Sequence, residues 1–174
     1  MPFNSAVLAD TSLDTFMRHR FGLMLASLWW GSLGALGFLV VPMLFAHLPS
    51  PAVAGQMAAR LFTAQTWLST GCAMLLLMIF NRKEAVAQPI HAQIAIKLIV
   101  LGLFLAILVE FGVAPRIVNA RSDGGNLKLW HALGSVMYLA QWVCSGFVLW
   151  RLSAQPDFSA AESQRTQRTQ GNAE

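Results

Sequence analysis

Apolar residues along this chain come in unbroken runs rather than along one face. Residues 98–109 (LIVLGLFLAILV) and 73–80 (AMLLLMIF) contain no polar position, whereas a helix packed in a soluble core shows one every few residues. Four stretches, at about residues 22–46, 61–80, 95–115 and 130–150, are each long enough for a hydrocarbon core that needs about 20 residues. Backbone groups in lipid must find partners within their own segment, so each run is predicted to be a helix. The expected fold is all-α: a polytopic membrane protein built as a four-transmembrane-helix bundle.

The rest of the chain divides around these spans. Residues 1–21 read as a cytoplasmic N-terminal segment, 22–152 as the transmembrane domain, and 153–174, which end in SQRTQRTQGNAE, as a polar tail too poor in apolar surface to order. Pro42 and Pro115 each stand at the end of an odd-numbered span, and thirty residues later come Cys72 and Ser145 in the span that follows. Two repeated helical hairpins, related by an axis along the membrane normal, would produce that spacing. Four similar apolar helices would produce it too.

Composition agrees with a lipid solvent. Of 174 residues, 56% are hydrophobic and 11% charged, against about 25% charged in soluble domains. The net charge of +4 sets twelve Lys and Arg against eight Asp and Glu, and apart from Arg165 and Arg168 in the tail the basic residues are scattered at the borders of apolar runs. A nucleic-acid partner would call for a patch or stripe instead, so none is expected. Arg18, Arg20, Arg82, Lys83, Lys97 and Arg151 fall at one end, and Arg60, Arg116, Arg121 and Lys128 at the other. The positive-inside rule predicts both termini in the cytoplasm, and the expected location is the cell (inner) membrane. No basic lead-in precedes position 18 and the first apolar segment has no small-residue cleavage site, so it is expected to remain as a span. Trp130 and Trp150, twenty positions apart, suit the two interfacial aromatic belts.

Polar residues inside the spans are the candidates for chemistry. Glu110 lies thirteen residues beyond Lys97, about 20 Å along a helix and short of the far side of the core. Its helical neighbours Gly102, Ala106 and Ala114 are small, which turns the carboxylate towards another helix rather than lipid. There it is expected either to take up a proton or to find a cation, with Arg60, Arg116 and His131 as candidates. The fourth span carries His131, Ser135, Tyr138, Trp142 and Ser145 at helical spacing, and the second carries Gln65, Ser69 and Cys72. Such stripes serve as interhelical hydrogen bonds or line a hydrated cavity. Arg60, Gln65, Glu110, Arg116, His131, Ser135 and Tyr138 together make a polar intramembrane cluster near the outer face.

Three further features bear on partners and cofactors. Ser27, Gly31 and Ala35, with Gly34 and Gly37 alongside, form a close-approach surface for a neighbouring helix or for a second copy in a homo-oligomer. Trp29 and Trp30 lie too deep for an aromatic belt, so their indole N–H groups are expected to find partners inside the bundle. His47 and His131, with Met43 near, are weak candidate ligands for haem or copper. No HxxH or MxxM spacing accompanies them, and Cys72 and Cys144 form no CxxC pair. No phosphate loop, GxSxG, HExxH or paired-carboxylate motif occurs either, and Glu110 with His131 as a proton relay is the one catalytic hint. The reading leans away from an enzyme.

WWGSLGALGFLVVPMLF, RLFTAQTWLSTGCA, APRIVNAR and WHALGSVMYL, in this order across about 22–150, resemble the four-span proteins similar to transmembrane protein 205, whose bacterial branch is labelled a domain of unknown function. The resemblance implies a four-helix integral membrane protein, distantly similar to copper-resistance-type and haem-binding four-helix membrane proteins. Pro115, Arg116, His131, Leu133 and Ser135 match the family's pattern. The family can place its acidic residue beside the proline, whereas Glu110 stands five before it. The expected role is a small transporter-like or accessory membrane protein; the alternative is a haem- or copper-binding membrane redox protein.

Overall fold

The computed structural model describes residues 3–80, 90–122 and 125–154, with side chains placed for 16–80, 93–120 and 125–154. The polar tail from 155 onward and the Arg82–Lys83 pair lie outside the described residues. Six α-helices follow in order: α1 (Phe3–Gly34), α2 (Val41–His47), α3 (Pro51–Phe80), α4 (Ile90–Leu108), α5 (Ala114–Ser122) and α6 (Leu127–Ser153). Two π-helical segments, Ala35–Val40 and Val109–Val113, join α1 to α2 and α4 to α5 without a break. Among the described residues there is no strand. Four stretches are long and apolar enough to cross a membrane: Phe16–His47, Pro51–Phe80, Gln93–Ala120 and Leu127–Ser153.

These spans exceed the apolar runs because local capping, rather than hydropathy, sets helix ends. Pro49 disfavours helical geometry in the preceding residue, and Leu48 is extended at φ −82° and ψ 149°. Ser50 Oγ then accepts from the Val53 N–H at 3.3 Å, and Pro51 opens α3 where its missing N–H costs nothing. Helix therefore begins ten residues before the apolar run at 61. Asn126 caps α6 in the same way, its Oδ1 accepting from the Leu129 N–H at 3.1 Å.

Pro42 and Pro115 do not end their spans. A proline inside an α-helix clashes with the carbonyl four residues back, here Phe38 and Phe111. Both carbonyls lie in π segments, whose wider turn accommodates the ring. Each segment ends two residues before its proline, and the Val41 and Ala114 N–H groups bond five residues back, to Leu36 and Val109. The chain then continues as helix to His47 and Ser122. Pro115 thus stands just past a wide turn within a longer helix, and Pro42 is accommodated in the same way.

α1 packs against α3 and α6, and α4 packs against the same two helices, closing a four-helix ring. His19 Nε2, near the start of the first span, donates to the Leu152 carbonyl near the end of the last (3.0 Å), so both ends of the described bundle lie on one side. Leu25, Trp29, Leu33, Cys72, Leu76, Ile99, Val148 and Leu152 form a core towards that end. Phe38, Met78, Phe104, Phe111 and Val136 stand more than half exposed around the outside. That many large apolar side chains facing outward fit lipid and not water.

Aromatic rings seated on glycines set the helix separations. Trp30 stacks on Trp142 with centroids 5.6 Å apart, and each ring lies over the glycine four residues beyond the other: a Cβ on Gly146 would meet Trp30 Nε1 at 2.9 Å, and one on Gly34 would meet Trp142 Nε1 at 3.1 Å. Gly37 receives Tyr138 and Gly102 receives Trp29 at similarly short range. The close approaches inside the bundle therefore use Gly34 and Gly37. Ser27, Gly31 and Ala35 are exposed on the outer face.

Candidate functional site

Two polar layers cross the bundle. The first lies at mid-length and contains all four buried polar side chains among the described residues: Gln65, Ser69, Gln141 and Ser145. They form two Gln-x3-Ser pairs, QTWLS in α3 and QWVCS in α6, and each glutamine is fourteen residues past the start of its helix. A spacing of four puts both members of a pair on one inward face.

The two pairs are bonded differently. Gln65 Nε2 donates to Ser32 Oγ of α1 (2.9 Å) and to Ser69 Oγ (3.3 Å), and Ser32 Oγ donates to the Trp29 carbonyl (3.0 Å). Gln141 Nε2 and Trp29 Nε1 are buried without a hydrogen-bond partner among the described residues. For Trp29 this departs from the expectation of an indole partner inside the bundle; its benzo edge instead fills the space over Gly102, which fixes the ring by shape. An unpaired buried donor carries its whole desolvation cost, whereas a paired one recovers it.

The difference sets up opposite responses to one substitution. Gln65→Leu should lose about 1 kcal/mol, since it removes one hydrogen bond between helices and one within α3, at about 0.6 kcal/mol each. Gln141→Leu, which removes a donor without a partner, should be neutral or stabilising. Unfolding of the purified protein in mixed detergent micelles measures both; equal losses would mean that Gln141 has an acceptor.

The second layer lies towards the other end and centres on Glu110. The carboxylate is half-buried in the second π segment, and Thr63 Oγ1 of α3 donates to its Oε1 at 2.8 Å. No ion pair reaches it among the described residues. Ala106, four residues back, is 1% exposed and Gly102 is buried, so the small face of this helix does meet protein. The helix runs twelve residues beyond Glu110, to Ser122. Beside this layer Phe62 meets Tyr138 edge to face, with centroids 5.1 Å apart, and the Tyr138 hydroxyl donates to the carbonyl of Leu33 (2.9 Å), which stands just before the first π segment.

The remaining candidates are placed separately. Arg60 and His131 are exposed. The Arg116 guanidinium lies 5.1 Å from the centre of the Trp130 ring. Ser135 is exposed and its hydroxyl donates to the His131 carbonyl (2.9 Å). Among the seven residues of the expected cluster, no side-chain hydrogen bond or ion pair joins two of their side chains. The partners that are present, Thr63 for Glu110 and Ser32 for Gln65, are small hydroxyls that blend into an apolar helix as packing residues. Gln141 is visible along the chain as half of the repeated Gln-x3-Ser spacing.

For a metal or haem, the donor geometry is sparse. His47 is exposed on α2 and donates from Nδ1 to the Met43 carbonyl (3.0 Å). Cys72 and Cys144 are buried free thiols. Among the described residues no group of three His, Cys, Asp or Glu side chains is arranged to hold a metal ion.

Four apolar spans closed into a ring, with large apolar side chains outward and amides, hydroxyls and one carboxylate inward, define a multi-pass integral membrane protein. The chain belongs to the family described as domain of unknown function DUF4149, which it matches over residues 24–126. That match takes in nearly all of the first three spans and ends at the cap of α6. No curated protein and no solved structure matches the chain.

Proposed function

We propose that this is a small transporter-like membrane protein in which Glu110 exchanges a proton for a cationic substrate. One observation carries the reading: an intramembrane carboxylate is held by a single neutral donor, Thr63 Oγ1 at 2.8 Å. Ionisable groups within spans are costly and mark substrate or proton pathways, and π segments are frequent at functional sites because the local widening re-aims a side chain. A structural ion pair would fix the carboxylate permanently. A hydroxyl leaves its charge open to compensation by a proton in one state and a cation in another.

An accessory role without transport is the reading that Glu110 argues against. The inner membrane with cytoplasmic termini is the placement that the basic residues favour. The outward stripe of Ser27, Gly31 and Ala35 suits self-association.

A lipid-soluble carbodiimide, which couples to protonated carboxyl groups, tests the site whatever the substrate is. In purified protein the peptide containing Glu110 should carry the adduct, Glu110→Gln should lose it, and tetraphenylphosphonium should slow its formation several-fold. A labelling rate indifferent to that cation, or no adduct at Glu110, would remove the exchange mechanism.

A further inference from the structure

We propose that the outer face of α4 binds an anionic phospholipid, with Lys97 on the headgroup phosphate and one acyl chain along Val100, Leu101 and Phe104. These side chains and Ile96 line a shallow open groove of about 400 Å³. Its walls are apolar, and Lys97 supplies its one charged group.

Depth and direction suit a lipid. Lys97 stands four residues inside the start of the third span at Gln93, where the ammonium of a flexible stem reaches the phosphate level. Phe104 is seven residues further on, about 10 Å towards the membrane centre. An acyl chain descending from a phosphate at Lys97 therefore runs along Val100, Leu101 and Phe104, which are 49%, 46% and 57% exposed.

Charge selects the headgroup. Among residues with described side chains the one carboxylate is Glu110, thirteen positions away, so none of those residues competes for Lys97. The other described cations at this end are engaged: Arg20 lies 4.4 Å from the Phe16 ring centre, Arg151 lies 5.7 Å from that of Trp150, and Arg18 also has a partner. The Lys97 ammonium makes no hydrogen bond, ion pair or ring contact among the described residues. A zwitterionic headgroup would bring its own cation against Lys97, whereas phosphatidylglycerol brings only the phosphate.

Native mass spectrometry of the full chain released from neutral detergent micelles, titrated with phosphatidylglycerol or phosphatidylcholine, reads the site. Phosphatidylglycerol should be retained in preference to phosphatidylcholine. Lys97→Gln should weaken its retention about fivefold, the equivalent of the roughly 1 kcal/mol that one basic residue contributes near an anionic surface. Lys97→Arg should retain it. Phe104→Ala, which keeps the charge and removes the far wall, should weaken both lipids. Millimolar inorganic phosphate should displace neither lipid, because it cannot use the acyl groove.

Equal retention of the two lipids by the native chain, unchanged phosphatidylglycerol binding in Lys97→Gln, or full displacement by phosphate would each overturn the assignment. Circular dichroism confirms that each variant is folded. If Lys97→Gln does not fold, the comparison of native chain with Phe104→Ala decides alone. None of these readouts depends on Glu110.

Discussion

Gly102→Leu should be among the most damaging single substitutions in the bundle, at about 3 kcal/mol, the upper end of what overpacking a filled core costs. A Cβ at this position would lie 2.8 Å from Cη2 and 2.9 Å from Cζ2 of Trp29. Trp29 is 0% exposed, so its ring has no open side to retreat into. Gly102→Ala meets the same ring, although alanine favours the helix by about 1 kcal/mol over glycine. Its net loss should be about 1 to 2 kcal/mol. Trp29→Phe withdraws the benzo edge and should restore most of the loss in the Gly102→Ala background. Detergent unfolding of the two single variants and the double variant measures the coupling, and a Gly102→Ala protein at least as stable as the native one would refute the contact.

Tyr138 of α6 should show a similar coupling to Gly37 in the first π segment. A Cβ on Gly37 would fall 2.9 Å from Tyr138 Cε1. That ring is held from two other directions, by the hydroxyl on the Leu33 carbonyl (2.9 Å) and by the edge of Phe62 at 5.1 Å. Gly37→Ala must displace it, losing the hydrogen bond and the aromatic contact together, a net loss of up to about 1 kcal/mol after the helix-propensity gain is counted. In a Tyr138→Leu background the same change should become neutral or stabilising. Additive losses would mean that the ring moves aside freely and does not set the α1–α6 separation.

The neighbourhood of Glu110 separates what a linear reading can and cannot reach. Counting from Lys97 places the carboxylate inside the membrane, and the small residues at 102, 106 and 114 turn it towards protein. Both inferences need only helical geometry. A linear reading looks for its partner among the cations Arg60, Arg116 and His131, because charge is conspicuous in sequence. Thr63 is not conspicuous, and which neutral hydroxyl faces Glu110 depends on the rotation of α3 against α4. The π segment adds to the difficulty, since one extra residue in the turn shifts every position after it by about 100° relative to an unbroken α-helix.

Glycine roles divide the same way. The first span offers Ser27, Gly31 and Ala35 as one small stripe and Gly34 and Gly37 beside it, and periodicity alone ranks them equally. Only the packed bundle assigns Gly34 to Trp142 and Gly37 to Tyr138 and leaves the other three facing outward. The same limit applies to Gln65 and Gln141, which have equal depth and equal spacing to a serine. Ser32 on α1 bonds one of them, and the other has no counterpart among the described residues.

Four helical crossings of the membrane follow from the linear chain alone, because a backbone in lipid must bond within its own segment and the apolar runs are long enough to span. Packing settled the rest: which polar groups meet, where the prolines are absorbed and which glycines carry aromatic rings. Inside a bilayer, hydrophobicity does not distinguish one helix face from another, so rotation and register are fixed by side-chain shape and by a few interhelical hydrogen bonds. Those are properties of pairs of helices, and they arise only once the helices are packed.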